Sequence, residues 1–162
     1  MRVLTPPQQV TADQQIIIFL AGSIEMGEAK EWQQQAIDLF DSLIPEKQKN
    51  NYLILNPRRP DWDSTWKQEY ENPPFYEQVK WELNGLKVAD YVIVYFDPAT
   101  KSPVSLLELG AFYNKAVVVC PEGFWRKGNV DIFCEEFKVK QAPDLKSAVE
   151  QIIPQKEVGK TG

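Results

Sequence analysis

One carboxylate in the sequence lies in an otherwise apolar stretch, residues 102–110, which reads Ser-Pro-Val-Ser-Leu-Leu-Glu-Leu-Gly. Ser102 followed by Pro103 is typical of a helix start, with the serine hydroxyl as the predicted cap. At helical spacing Glu108 shares one side with Val104, so we expect the carboxylate to lie among groups that favour burial. Burying a carboxylate is costly unless it is paired or faces a pocket. Glu108 is therefore a candidate for chemistry, and the alternative is a surface glutamate that flanks the core.

The sequence contains no histidine, and histidine is the commonest general base and the commonest metal ligand. Acid–base chemistry would then fall to carboxylates, tyrosine, lysine or water. The two cysteines, Cys120 and Cys134, lack a CxxC spacing and are too few for a disulfide framework. We expect no metal site and no organic cofactor.

Length and composition predict one ordinary globular domain of 162 residues, 43% hydrophobic and 25% charged. The net charge of −5 argues against nucleic acid polymers and anionic membranes as partners. No apolar run reaches the roughly 20 residues that span a bilayer, and residues 1–13 do not resemble a signal peptide, so we expect a cytoplasmic protein. We expect an N-terminal arm at 1–14, the domain at 15–153 and a flexible tail at 154–162.

Continuous apolar runs alternate with amphipathic segments along the chain. The runs predict strands, and the amphipathic segments together with the stretch around Glu108 predict helices. The predicted strands are 15–21, 52–55, 90–96, 116–120 and a weaker 137–140, and the predicted helices are 27–43, 75–88, 103–115 and 145–153. This βα alternation predicts an α/β three-layer sandwich with about five parallel strands.

Small or polar residues follow the predicted strands at the end where parallel strands meet. They are Gly22, Ser23, Asn56, Arg58, Arg59, Asp97 and Ser102. Because ligands bind at this edge of open α/β sheets, we expect these residues to converge on a polar, ring-containing ligand, either neutral or anionic.

Four of these residues also have a purely structural interpretation. Ser102 would only cap its helix, and Arg58 and Arg59 would pair with surface acids. Asp97 precedes a proline and would only form a turn.

Five ordered segments resemble the nucleoside 2-deoxyribosyltransferase family. They read FLAGSI at 19–24, NPRR at 56–59, VKWE at 79–82, AD at 89–90 and SPVSLLELG at 102–110. The resemblance implies a flavodoxin-like (Rossmann-like) fold and covers about residues 15–120.

The family resemblance implies that Glu108 is the nucleophile. It would attack C1′ of the sugar, release the nucleobase and form a covalent glycosyl-enzyme, as in retaining glycoside chemistry. Glu82 takes the place of an acidic residue that holds the base and assists its protonation, and Gly22 with Ser23 would leave room for the sugar.

One position departs from the transferases. Where they carry a second base-holding aspartate, six residues before the nucleophile, this chain has Ser102. The related deoxynucleotide N-hydrolases look similar here, with a serine that binds the 5′-phosphate. Arg58 and Arg59 are possible phosphate partners, so the substrate is either a free nucleoside or a nucleotide.

The sequence therefore predicts an enzyme, a transferase or hydrolase that cleaves the N-glycosidic bond of a (deoxy)nucleoside or nucleotide. One alternative is a 2′-deoxynucleoside 5′-monophosphate N-hydrolase. Another is a catalytically silent nucleotide-binding or sensing module. Because family members commonly form assemblies in which a neighbour closes the site, we expect a homo-oligomer, dimer or higher.

Overall fold

The computed structural model describes residues 1–24, 31–59, 61–63 and 65–154. Within these ranges six strands form one open sheet, and all the strand pairs are parallel. The strands are β1 (Arg2–Leu4), β2 (Ile16–Gly22), β3 (Tyr52–Leu55), β4 (Tyr91–Tyr95), β5 (Ala116–Val119) and β6 (Lys140–Gln141). Their order across the sheet is β1-β3-β2-β4-β5-β6.

Helices cover both faces of the sheet. They are α1 (Trp32–Leu43), α2 (Pro73–Val88), α3 (Pro103–Phe112), α4 (Lys127–Glu136) and α5 (Leu145–Ile152), with 3₁₀ turns at Glu46–Asn51 and Tyr113–Lys115. Helices α1 and α5 pack on one face, and α2, α3 and α4 pack on the other. None of the helices described is long and apolar enough to cross a membrane.

The central position of β2 in the sheet explains why its sequence is continuously apolar. Ile18 and Leu20 point to the core under α1 and α5, while Ile17, Phe19 and Ala21 point to the core under α2, α3 and α4. All five residues are buried, because a parallel strand covered on both faces has no solvent side. The predicted α/β, flavodoxin-like three-layer class is confirmed.

The structure differs from the sequence-based strands at both edges of the sheet. Residues 2–4 pair with β3 as a sixth strand, which three residues are too few to signal. The last strand is at 140–141 and not at 137–140. Phe137 belongs instead to an aromatic cluster with Tyr113 and Phe133. Lys138 has φ of 53°, which is incompatible with an extended strand.

Two helices also differ from expectation. Helix α4 was not predicted, because only Val130 and Cys134 of its ten residues are buried and the apolar pattern is weak. Helix α1 is described from Trp32, whereas the predicted start at residue 27 lies outside the described residues. Most of the predicted tail, 155–162, also lies outside them.

Helix α3 presents a different face to the core from the one predicted. Ser105 and Leu109 are buried, whereas Val104 is 58% exposed. Glu108 therefore lies at the border between the buried and exposed sides of α3 and is partly buried.

Candidate active site

The candidate site lies at the carboxyl ends of β2 and β4. Strand β3 lies on one side of β2, and the next strand along the chain, β4, lies on the other side of β2. This change of direction opens the crevice in which open α/β sheets bind ligands.

Gly22 ends β2 at a point where the backbones of two strands approach closely. Its φ is 138°, and an added Cβ would collide with the backbone oxygen of Tyr95 and lie 3.0 Å from the ring of Trp32. Only glycine fits these two demands without strain. The close approach of β4 therefore accounts for Gly22 without any ligand.

Three hydroxyl groups form a buried cluster just beyond Gly22. Ser23 Oγ lies 2.5 Å from Ser102 Oγ and 2.8 Å from Thr100 Oγ1, and Thr100 Oγ1 lies 2.8 Å from Ser102 Oγ. The backbone N–H of Asp97 donates to Ser23 Oγ at 2.8 Å. All four residues are at most 4% exposed. The cluster joins the end of β2 to the loop that leads from β4 into α3.

The Ser102 side chain does not cap α3, so that sequence-based interpretation is wrong. Ser102 occupies the N-cap position with φ of 49° and ψ of 51°, and its hydroxyl makes no capping hydrogen bond. The left-handed backbone turns the side chain toward Ser23 and Thr100. Pro103 does lie at the start of α3, as predicted.

Asp97 forms a turn just after β4, at the carboxyl edge of the sheet. Its Oδ1 accepts the backbone N–H of Ala99 at 2.9 Å, and the residue is 4% exposed. The turn places Thr100 where its hydroxyl reaches both Ser23 and the Asp97 carbonyl, 2.9 Å away. The structure thus brings Ser23, Asp97 and Ser102 together.

The two arginines that follow β3 have different environments. Arg58 Nη1 donates to Gln33 Oε1 at 3.2 Å, and Gln33 Nε2 in turn donates to the Ser23 carbonyl at 3.4 Å. Asn56 holds the start of this turn by accepting the Arg58 N–H at 3.1 Å. Asn56 and Arg58 therefore connect to the same edge as the hydroxyl cluster.

Arg59 is held away from the other site residues. Its Nε and Nη2 each donate to the Asp61 carboxylate at 2.8 Å. Its guanidinium also lies 5.2 Å from the centroid of the Trp66 ring. The ion pair accounts for the raised pKa of Arg59 and the lowered pKa of Asp61.

Glu82 lies on α2 beside a buried amide. Gln78 Nε2 donates to Glu82 Oε1 at 2.8 Å and to the Pro57 carbonyl at 3.1 Å. Burial raises the pKa of Glu82, and the hydrogen bond from Gln78 partly offsets this rise. Spacing on the helix places Gln78 one turn before Glu82, which is why the two share a face.

Glu108 lies on α3, on the same side of the sheet as Glu82 on α2. Burial raises the pKa of Glu108 to about 8, and the charge on Glu82 adds to the rise. Two carboxyl groups in one poorly solvated place do not both ionise readily.

Two surface depressions lie apart from this carboxyl pair. One of about 320 Å³ is formed by the loop before α2, and one of about 360 Å³ lies on the α1 and α5 side of the sheet. Neither is lined by Glu82 or Glu108. Among the described residues, no group of three or more Cys, Asp or Glu side chains is arranged to hold a metal ion.

A family model described as "nucleoside 2-deoxyribosyltransferase like" matches residues 15–124. The chain belongs to this family. The match begins at the approach to β2 and ends beyond β5, so it includes the hydroxyl cluster, Glu82 and Glu108. A search of curated proteins found no match. Nucleosides are the substrate class that the family description names.

Sequence reasoning missed three side chains that organise this family member's site. Thr100 completes the hydroxyl cluster, Gln33 joins Arg58 to Ser23, and Gln78 binds Glu82. Gln78 was recognisable only as a neighbour of Glu82 on the helix. Thr100 and Gln33 carry no sequence signal, because their partners lie on other elements.

Proposed function

We propose that this protein cleaves the N-glycosidic bond of a nucleoside or nucleotide through a covalent glycosyl intermediate on Glu108. The observation that supports this proposal best is the carboxyl pair Glu82–Glu108, carried by two helices on the same side of the sheet, with a raised pKa on each member. Such a pair supplies both an oxygen to attack C1′ and a proton for the departing base.

The two carboxyl groups take different parts in the proposed reaction. An oxygen of Glu108 bonds to C1′ as the C1′–N bond breaks, and Glu82 lies near the base and passes it a proton. The base leaves neutral, and Glu108 becomes a glycosyl ester. A second base or a water molecule then attacks C1′ and gives its proton to Glu82, while the Glu108–C1′ bond breaks and releases the Glu108 carboxylate.

The hydroxyl cluster and Arg58 would bound the sugar end of the substrate. Ser23, Thr100 and Ser102 fix the edge at which Gly22 and Asp97 lie, and Asn56 orients the turn that carries Arg58. Arg58 is the arginine that connects, through Gln33, to the Ser23 carbonyl beside the hydroxyl cluster, which makes it a candidate for a phosphate partner.

A 2′-deoxynucleoside 5′-monophosphate N-hydrolase is the second candidate. The N-terminus of α3 has no side-chain cap and lies at the same edge as Arg58, which favours an anionic group there. Base release should be compared for matched nucleosides and 5′-monophosphates, each with and without an acceptor base. Release only from monophosphates and without an acceptor would favour the hydrolase, and exchange of bases would favour the transferase.

The decisive variant is Glu108→Gln, which keeps the shape of the side chain but removes the nucleophile. We expect base release to fall by at least about a thousandfold, with the fold preserved. Glu136→Gln, an exposed glutamate on α4, is the matched control and should keep full activity. Mass spectrometry of the wild type with substrate should show a glycosyl adduct on Glu108.

Full activity of Glu108→Gln would exclude the nucleophile assignment. Tight nucleotide binding by the wild type without base release or adduct would instead identify a silent binding or sensing module.

We also propose that the protein is a homo-oligomer that assembles through α3. Leu107 is 73% exposed and Val104 is 58% exposed, although α3 is apolar on all sides. A helix of this composition normally lies in a buried environment, and a second subunit would provide one next to Glu108. A cytoplasmic location remains a prediction.

A further inference from the structure

Gln78 is a buried amide whose orientation is set by two acceptors. The residue is 6% exposed, and its Nε2 donates to both Glu82 Oε1 and the Pro57 carbonyl. Reversing the amide would point Oε1 at the Pro57 carbonyl, which can only accept, so this carbonyl fixes Nε2 on the side of Glu82. Gln78 therefore presents N–H donors to Glu82, and its Oε1 has no partner among the described residues.

A buried carbonyl oxygen without a partner is costly, so this arrangement requires an explanation. Packing alone would be satisfied by an apolar residue of similar size, such as methionine, which leaves no unpaired oxygen. What the amide adds is a pair of N–H donors, one to the Pro57 carbonyl and one to an oxygen of Glu82. A donor of this kind stabilises the charged form of a carboxyl group.

We propose that Gln78 is a positioning residue that keeps Glu82 as the charged member of the Glu82–Glu108 pair and leaves the proton on Glu108. The charge of Glu82 raises the pKa of Glu108 in addition to the effect of burial. Gln78 is the one described side chain that donates to Glu82. The raised pKa of Glu108, about 8, agrees with this distribution.

The consequence for catalysis rests on the proposed function. The proton of neutral Glu108 passes through Glu82 to the base nitrogen, while an oxygen of Glu108 bonds to C1′ and the electrons of the C1′–N bond leave with the base. The products are the glycosyl ester of Glu108 and the neutral protonated base, so no external proton is consumed. Glu82 is charged before and after this step.

Gln78 therefore stabilises a charged Glu82, and the glycosyl-enzyme also has its negative charge on Glu82. In that intermediate Glu108 is an uncharged ester and Glu82 is the remaining carboxylate, ready to take a proton from the acceptor. A donor already in place at Glu82 requires no rearrangement as the ester forms.

The test is the titration of each carboxyl group by ¹³C NMR in full-length protein labelled at the glutamate side-chain carboxyl carbon. Glu82→Gln and Glu108→Gln spectra assign the two signals. In the wild type we expect Glu82 to ionise at a lower pH than Glu108. In Gln78→Met the two midpoints should move toward each other by about one pH unit or more, because the donor to Glu82 is lost.

Gln34→Met is the matched control. Gln34 Nε2 donates to Asp38 at 2.9 Å with the same four-residue spacing, but on the exposed surface of α1. This variant should leave both midpoints unchanged. If Gln78→Met does not fold, Gln78→Asn keeps an amide, withdraws it by one methylene and should shift the midpoints in the same direction.

Two outcomes would overturn the proposal: ionisation of Glu108 before Glu82 in the wild type, or unchanged midpoints in a folded Gln78 variant. A purely structural role would lower the melting temperature without moving the midpoints. Because NMR requires no substrate, this result stands whether or not the protein releases a base. If it does, Gln78→Met should lower kcat about ten- to a hundredfold.

Discussion

At the scale of single residues, Glu82 and Glu108 show how two identical side chains acquire different charges. Each is removed from water, which raises the pKa of both. Gln78 donates a hydrogen bond to Glu82 only, and Glu108 instead faces the negative charge of Glu82. The difference comes from one amide, and it assigns the proton of the pair to Glu108.

The burial of Glu108 predicts a stability cost that depends on pH. Its pKa is about 8 in the folded protein and near the ordinary value of 4.5 when unfolded. Below pH 4.5 both states hold the proton; between pH 4.5 and 8 only the folded state does, so stability falls as the pH rises. Glu108→Gln does not titrate and should be more stable than the wild type at pH 8, by roughly 2–5 kcal/mol.

Urea unfolding at several pH values measures this difference. The advantage of Glu108→Gln should grow from pH 4.5 to pH 8 and then level off, whereas exposed Glu136→Gln should follow the wild type throughout. A difference that stays constant over this range would mean that Glu108 is not desolvated.

Residue types alone could suggest the carboxyl pair but could not place the supporting side chains. Glu108 was recognisable because it interrupts an apolar stretch, and Glu82 because of the family resemblance. The Ser102 hydroxyl was misassigned as a cap, since a left-handed backbone at a serine has no sequence signal. The two arginines look equivalent in sequence, and only the fold shows that Arg59 binds Asp61.

At the scale of elements, the distance between α2 and the sheet determines where Glu82 lies. Gly85 lets α2 approach the sheet, because an added Cβ would lie 2.8 Å from the Phe19 ring and 3.1 Å from Leu55. Phe19 and Leu55 are fully buried and have no space to move into. Gly85 is three residues after Glu82 and sets the depth at which that carboxyl group is held.

Gly85→Ala should therefore push α2 away from β2. We expect a loss of about 1–3 kcal/mol in the free energy of unfolding, together with reduced base release as Glu82 moves relative to Glu108. Gly128→Ala on α4 is the control, since its Cβ would meet no atom within 4 Å. Urea unfolding and an activity assay measure both effects, and unchanged stability of Gly85→Ala would show that α2 can shift freely.

The same packing explains which elements could be predicted from sequence. Strands β2 to β5 are apolar on both faces, so their runs are unbroken and easily recognised. Strands β1 and β6 have three and two residues, and their positions depend on pairing with β3 and β5. Ile132 on α4 is 69% exposed, which obscures the amphipathic pattern of that helix.

At the scale of the whole molecule, the fold places an apolar surface directly beside the candidate active site. Helix α3 contributes Ser105 and Leu109 to the core and leaves Val104 and Leu107 on the outside. Glu108 lies between these two sides. A subunit that covers Leu107 would also remove water from the neighbourhood of Glu108, which links assembly to the chemistry.

Leu107→Glu tests this link. A charged residue at the centre of the exposed α3 surface should prevent assembly, because its burial would leave the charge unpaired. We expect light scattering to show a dimer or larger assembly for the wild type and a monomer for Leu107→Glu. Val88→Glu, on an apolar residue of α2 that is 50% exposed, should keep the wild-type mass. If a partner closes the site, Leu107→Glu should also lose base release while keeping its melting temperature. A wild-type protein that is monomeric at micromolar concentration would exclude assembly through α3.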